Sequence, residues 1–223
     1  MKPLVLAVDT THEFGSLALA RGDETLEEVP LHAPGGFAQV IYGSLGQLLE
    51  RHRVGLDAFD CFAAACGPGS FTGVRVGLAC VKGLAEACGK PAVAVSNLEA
   101  VASFGAAPLR AAVLDARRGE VYAALYDSVG RAVFPETVAN FTAWLEKLPR
   151  GDLELVSTDF TPFCGALAGT PFERLRRVTA PRALAATIAR IACRRFLAGE
   201  ASDPASLDAN YVRRADAELF WRD

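Results

Sequence analysis

Hydrophobic positions change their period several times along the chain, and each change marks an element. Leu4 to Val8 is an unbroken aliphatic run that stops at Asp9-Thr10-Thr11, and Phe14 to Ala20 is a second run with partial alternation. Together they predict a β-hairpin, which Glu24 to Leu31 extends as a meander. After Gly35-Gly36 the period lengthens. Phe37, Val40, Ile41, Leu45, Leu48 and Leu49 recur at helical spacing, and Arg51-His52-Arg53 closes that helix where cations suit its dipole. Cys61 to Ala65 is short, apolar and uncharged, as a strand buried on both faces requires. A helix over Val74 to Cys88 follows, ended by Gly89 with Pro91 just beyond. Ala92 to Val95 is another short strand, and Ser96-Asn97-Leu98-Glu99 is a capping box opening a helix through Phe104.

The second half begins as the first does. Arg110 to Leu114 reads as a strand ending at Asp115, with Glu120 to Tyr126 as the strand after it, just as Asp9 is followed by Phe14 to Leu19. An internal duplication and a chance likeness of two hairpins both fit that pattern. Downstream, Phe141 to Leu148 predicts a helix, Leu153 to Ser157 a strand, and Pro162 to Leu167 a short helix. Arg182 to Leu197 predicts a longer one, with Leu184, Ile188, Ile191 and Phe196 near a helical period and Arg190, Arg194 and Arg195 open to solvent. The tail from Ala201 to Asp223 is polar around Tyr211-Val212-Arg213-Arg214 and Phe220-Trp221. Strands alternating with helices predict an α/β fold of two similar subdomains, 1–106 and 107–223.

With 51% hydrophobic residues in 223, the chain has ample material for a core. Its 26 acidic and 23 basic side chains leave a net charge of −3. No global positive field draws a polyanion, so nucleic-acid contact is confined to local arginine clusters. The six cysteines, Cys61, Cys66, Cys80, Cys88, Cys164 and Cys193, contain no C-x-x-C pair and mostly sit in apolar patterns. They read as small hydrophobes, which suits a reduced cytoplasm and argues against a disulfide or metal framework. The apolar run after Met1-Lys2-Pro3 is too short for a signal sequence or a membrane span.

Candidate chemistry centres on Cys66-Gly67-Pro68-Gly69-Ser70-Phe71-Thr72-Gly73-Val74-Arg75-Val76-Gly77, which joins a buried strand to a helix. Gly67-Pro68-Gly69 forces a tight turn, and Ser70 or Thr72 can cap the helix. Unpaired N–H groups and the positive end of the dipole attract anions there, so a phosphate or carboxylate site and plain turn chemistry are both open readings. No lysine follows the glycines at Walker spacing, and the three-glycine Rossmann spacing is missing.

Four segments then occur in order: Leu4-Val5-Leu6-Ala7-Val8-Asp9-Thr10, the run from Gly67 to Gly77, Leu114-Asp115-Ala116-Arg117-Arg118-Gly119-Glu120-Val121-Tyr122, and Tyr211-Val212-Arg213-Arg214. In combination, and over nearly the whole chain, they resemble the TsaB family. The resemblance implies two ribonuclease H-like (actin-like ATPase) subdomains, with mixed sheets flanked by helices. It implies no catalytic residue of the chain's own. The expected role is a dimerisation and scaffold subunit that binds and activates TsaD, which transfers threonylcarbamoyl to the adenosine beside the tRNA anticodon. The ATPase TsaE would contact the heterodimer, and tRNA would be reached only through the complex.

On this resemblance the partner interface falls on the two N-terminal helices, at Ile41, Leu45, Leu48 and Leu49 and at Val74, Gly77, Val81 and Leu84. The same surface serves a homodimer, and core packing is the competing reading for those positions. Arg117, Arg118, Arg213 and Arg214 are candidates to meet TsaE or tRNA. TsaD carries a metal-binding His-x-x-x-His whose positions here are Asn97 and Val101, and His12, His32 and His52 lie in separate elements, so no metal is expected. Compared with TsaD-like ATPases the chain lacks about 100 residues of the second lobe. No cofactor is expected. The alternative is a nucleotide site for ATP or ADP with magnesium, built from Asp9, Thr10, Thr11, Gly69, Ser70 and Asp115, in which Asp9 holds the ion through water. A metal-dependent peptidase of the same superfamily is a further rival. The chain departs from its relatives in having Pro34-Gly35-Gly36-Phe37 where they often have His-Ser or His-Thr.

Overall fold

A computed structural model describes residues 2–213, so Arg214 and Phe220-Trp221 lie outside the described residues. The chain builds one sheet pattern twice. The first sheet comprises β1 (Leu4–Asp9), β2 (Phe14–Arg21), β3 (Glu24–His32), β4 (Cys61–Ala65) and β5 (Ala92–Val95), in the order β3-β2-β1-β4-β5. The second comprises β6 (Leu109–Asp115), β7 (Glu120–Asp127), β8 (Ala132–Asn140), β9 (Leu153–Ser157) and β10 (Arg176–Thr179), in the order β8-β7-β6-β9-β10. In each, three strands form an antiparallel meander and the last two join parallel to the first. That mixed pattern is the ribonuclease H-like fold of the actin-like ATPases, and its repetition settles the duplication that the hairpins suggested.

Two strands, β8 and β10, escape the sequence reading for a shared reason. Both are edge strands, mostly exposed or half-buried, so neither shows a clean apolar alternation. β8 is interrupted by Pro135, and β3, the outer strand of the first sheet, by Pro30. An edge strand tolerates proline because it has ladder positions with no partner, and the proline discourages pairing with another chain.

The first sheet is covered by helices on both faces, which is why every residue of β4 is buried. The helices are α1 (Ile41–His52), α2 (Phe71–Cys88) and α6 (Ala185–Leu197), with α3 (Asn97–Ala102), α4 (Phe141–Leu145) and α5 (Cys164–Leu167) lying between α2 and α6 in the chain. Ser70 caps α2, its Oγ accepting from Gly73 N–H at 3.3 Å, and Gly89 ends it at φ 60°. Arg51 and His52, at the end of α1, are bound to Glu27 of β3 rather than left to the helix dipole alone.

The compact units do not follow a single cut after residue 106. One contains the residues up to Ala100 and again Arg182–Asn210; the other contains Val101–Pro181 and continues from Tyr211. α6 belongs to the first because that unit supplies its N-cap. Leu184 has no side-chain acceptor to offer, so Ser16 Oγ accepts from Ala185 N–H at 3.0 Å and Glu28 Oε1 from Ala186 N–H at 2.9 Å. A carboxylate there also complements the helix dipole.

In the second unit Phe141, Trp144, Leu145, Phe163 and Leu167 pack on Val113, Val121, Leu125 and Leu155. Beside this core Glu154 is wholly buried. It accepts from Ala107 N–H at 2.9 Å, from Ala106 N–H and from the Arg176 guanidinium, and so ties the segment before β6 to the sheet edge. Burial pushes the Glu154 carboxyl up, but these donors together outweigh it and hold the group below the ordinary glutamate range. A carboxyl depressed on folding stabilises above its unfolded pKa, and the contribution is lost as pH falls through the folded value. Glu154→Gln should therefore cost about 1–3 kcal/mol at neutral pH, and the gap to the natural protein should narrow as pH falls below the ordinary glutamate pKa. Urea midpoints measured across that range check this.

Candidate functional site

Asp9 ends β1, and its carboxylate turns back on its own strap. Oδ1 accepts from Thr11 N–H at 2.9 Å and from the Thr11 hydroxyl at 2.6 Å. Asn97 sits at the centre of the cluster. Its Nδ2 donates to Thr11 Oγ1 at 2.7 Å and reaches Asp9 Oδ2 at 3.5 Å, while its Oδ1 accepts from Gly67 N–H at 3.1 Å. Since the Thr11 proton goes to Asp9, the 2.9 Å contact between Thr11 Oγ1 and His12 Nδ1 places a proton on that ring nitrogen. Asp9, Thr10, Thr11 and Asn97 are all at most 1% exposed.

The glycine run explains how so much polarity is sealed in. Gly69, Gly73 and Gly77 recur every fourth residue, and all three lie against Thr10 and Thr11. A Cβ on Gly69 would sit 2.5 Å from Thr11 O, one on Gly73 2.0 Å from Thr10 O, and one on Gly77 2.7 Å from Thr10 Oγ1. With no side chains in the way, Thr10 Oγ1 donates to Gly73 O at 2.7 Å and Ser70 N–H to Thr11 O at 2.6 Å. Of the residues considered for a phosphate or magnesium ion, Asp9, Thr10 and Thr11 are thus bonded inward. Gly69 and Ser70 serve the same contact. Among the described residues no group of three or more His, Cys, Asp or Glu side chains is placed to hold a metal ion.

Asp115 occupies the position of Asp9 in the second unit and makes the same turn, its Oδ1 accepting from Arg117 N–H at 2.8 Å. The tip beyond it is left-handed at three successive residues, Arg117 (φ 67°), Arg118 (φ 56°) and Gly119 (φ 76°). For the two arginines that conformation costs about 1–2 kcal/mol each. Arg213 secures the tip, donating to Ala116 O at 2.9 Å and to the Glu120 carboxylate. Of the candidate arginines, Arg117 and Arg118 are exposed, whereas Arg213 is engaged in holding the hairpin.

The positions expected at a partner interface have a different placement. Ile41, Leu45, Leu48, Val74 and Val81 are buried in the unit's own core, with Leu49 and Leu84 packed against it, and Gly77 faces Thr10. The outward face of the same two helices carries Tyr42, 61% exposed, and Phe71, 44% exposed, together with Gly43, Gly46, Ala79, Gly83 and Ala87. Among the described residues, and apart from the helix's own backbone, nothing lies within 4 Å of a Cβ built on Gly43, Gly46 or Gly83. Tyr42 bridges the helices by a hydrogen bond to the Cys80 thiol, which burial pushes up to about 11. The role of Asn97 is invisible in the sequence, where its partners Asp9 and Gly67 stand far away. The fourfold glycine spacing is the one local signal of the contact.

A duplicated mixed sheet with an Asp-bearing hairpin opening each copy defines the class as ribonuclease H-like, of the actin-like ATPase type. Residues 28–187 match the family model of TsaD, the tRNA N6-adenosine threonylcarbamoyltransferase. The tRNA threonylcarbamoyladenosine biosynthesis protein TsaB of Bacillus subtilis is 29% identical over 228 aligned positions that cover 97% of each chain. The Haemophilus influenzae protein of the same name is 35% identical over 148 positions, covering 64% of this chain and 60% of that one. A Pseudomonas aeruginosa structure, described as an uncharacterized protein with similarity to peptidase YeaZ, superposes with a TM-score of 0.79 at 27% identity, covering 95% of this chain and all of that one. The chain belongs to the TsaB family, within the wider group that the TsaD model describes.

The glycine contact makes a paired prediction. Gly73→Ala should lower stability by about 3 kcal/mol or more, because the atoms its Cβ would overlap most are the Thr10 backbone carbonyl. Gly83→Ala, on the open face of the same helix, should raise it by about 0.5–1 kcal/mol. Chemical denaturation of both variants distinguishes packing against Thr10 from a general intolerance of side chains in α2.

Proposed function

We propose that the chain works in tRNA threonylcarbamoyladenosine biosynthesis as a noncatalytic subunit that binds TsaD and holds it competent for transfer. The outward face of α1 and α2 carries the reading. Large aromatics flank residues with little or no side chain, so another helix can approach the backbone closely. Burial of Leu45, Leu48 and Val81 moves the proposed contact from those positions to Tyr42, Phe71, Ala79 and Gly83. The same inward bonds of Asp9, Thr10 and Thr11 argue against the nucleotide alternative, since an ATP phosphate or a magnesium ion would have to compete with them. Arg117 and Arg118 are the exposed cations that suit a contact with TsaE or tRNA in the assembled complex.

Size-exclusion chromatography with light scattering, on the chain alone and mixed with TsaD of the same organism, tests this. The mixture should give a one-to-one heterodimer. Ala79→Arg and Gly83→Arg should weaken it about tenfold or more, at least ~1.4 kcal/mol, while unfolding no lower in temperature than the natural protein. Leu45→Asp should instead unfold the chain, because it buries an unpaired carboxylate. Separate elution of the two natural proteins sinks the heterodimer reading. Normal binding by both arginine variants moves the interface elsewhere, and a homodimer lost in those variants assigns the face to self-association.

A further inference from the structure

Because the sheet is duplicated, the two aspartate hairpins can be compared position by position, and they differ in what stands before the carboxylate. Asp9 is bonded to Thr11 and Asn97, and the Thr10-Thr11 strap beside it is packed against the glycines of the α2 run. After β9 come a 3-10 turn, Thr161–Phe163, and the single turn α5, and Pro162, Phe163 and Ala166 of this segment face a cavity that Asp115 also lines. The cavity has a volume of about 260 Å³.

Its lining is unevenly charged. Asp115 and Glu120 bring carboxylates to it, and no lysine or arginine is among the described residues that line it. Glu120 is held by Arg213. Arg117 pairs with Asp115 Oδ2 at 3.7 Å with its side chain 82% exposed, a contact that solvent screens and a ligand can displace at little cost. Phe141 and Phe163, with ring centroids 4.8 Å apart and planes tilted by 39°, line the same cavity, as does Thr142. Carboxylates and aromatic rings in one lining are complementary to a cation carried on an apolar body, which gains a charge-assisted hydrogen bond and apolar contact together. The volume falls below the roughly 300–1,000 Å³ of pockets for drug-sized ligands, so the ligand is fragment-sized.

We propose that this cavity binds a small organic ammonium ion, with Asp115 as its counter-ion and Phe141 and Phe163 as its apolar bed. The site lies wholly within the second unit and does not depend on the TsaD reading. The test is an NMR titration of the isotopically labelled full chain with benzylammonium chloride at constant ionic strength, with benzyl alcohol as the neutral control. Amide shifts at Val121, Phe141, Thr142 and Ala166 should saturate with the amine, and the alcohol should bind at least tenfold more weakly. Asp115→Asn keeps an oxygen for the Arg117 N–H and should lower amine affinity tenfold or more. Ala166→Phe fills the cavity and should abolish the shifts while leaving the rest of the spectrum intact. Equal affinity for amine and alcohol, unchanged binding by either variant, or no saturable shift overturns the proposal.

Discussion

The approach of α2 to the strap after β1 is the contact on which the first unit depends. Backbone meets backbone there, because Gly69, Gly73 and Gly77 present no Cβ to Thr10 and Thr11. The desolvation that such closeness imposes is tolerable only because each polar group finds a partner: the Thr10 hydroxyl at Gly73 O, the Asp9 carboxylate at Thr11 and Asn97, and the Gly67 N–H at Asn97. A buried carboxylate with several hydrogen bonds and, among the described residues, no paired cation is sensitive to the loss of any one donor. The cluster therefore acts as a unit, joining β1, the glycine turn and the start of α3.

Duplication explains why the two sheets share one strand order, and divergence explains where the two copies differ. Both halves keep the meander, the parallel pair and the turn in which an aspartate accepts from the N–H two residues on. Both place a proline in the outer strand of the meander. They part at the helix that follows the fourth strand. An eighteen-residue α2 packs against the strap beside the first aspartate, whereas the four-residue α5 leaves the second beside a cavity.

Much of the fold is legible in the amino-acid order because buried strands and amphipathic helices impose different periods. Cys61 to Ala65, the cap at Ser70 and the stop at Gly89 all stand where local chemistry puts them. β8 and β10 are illegible because an edge strand buries too little of itself to need alternation. The placement of Leu45 and Val81 exposes a different limit. Periodicity identifies the apolar face of a helix but not what covers it, and here the chain's own sheet does. Asn97 lies beyond local reading altogether, since its partners come from other elements. The family resemblance carries the fold class and the family, while the packing of individual residues is set by contacts between distant elements.

The capping of α6 by Ser16 and Glu28 has a consequence for the order in which the protein comes into being. The first unit is discontinuous in the chain, with the whole of Val101–Pro181 spliced into it. During synthesis the opening strands emerge with one sheet face uncovered, and the helix that covers it arrives only after the inserted unit has been made. Contacts between residues 16 and 185 are among the most distant in the chain, and closing so long a loop slows assembly. The inserted sheet of β6 to β10 has no such wait. It can form while its host is still incomplete, and only the Arg213 clasp on its hairpin tip has to follow α6 out of the ribosome.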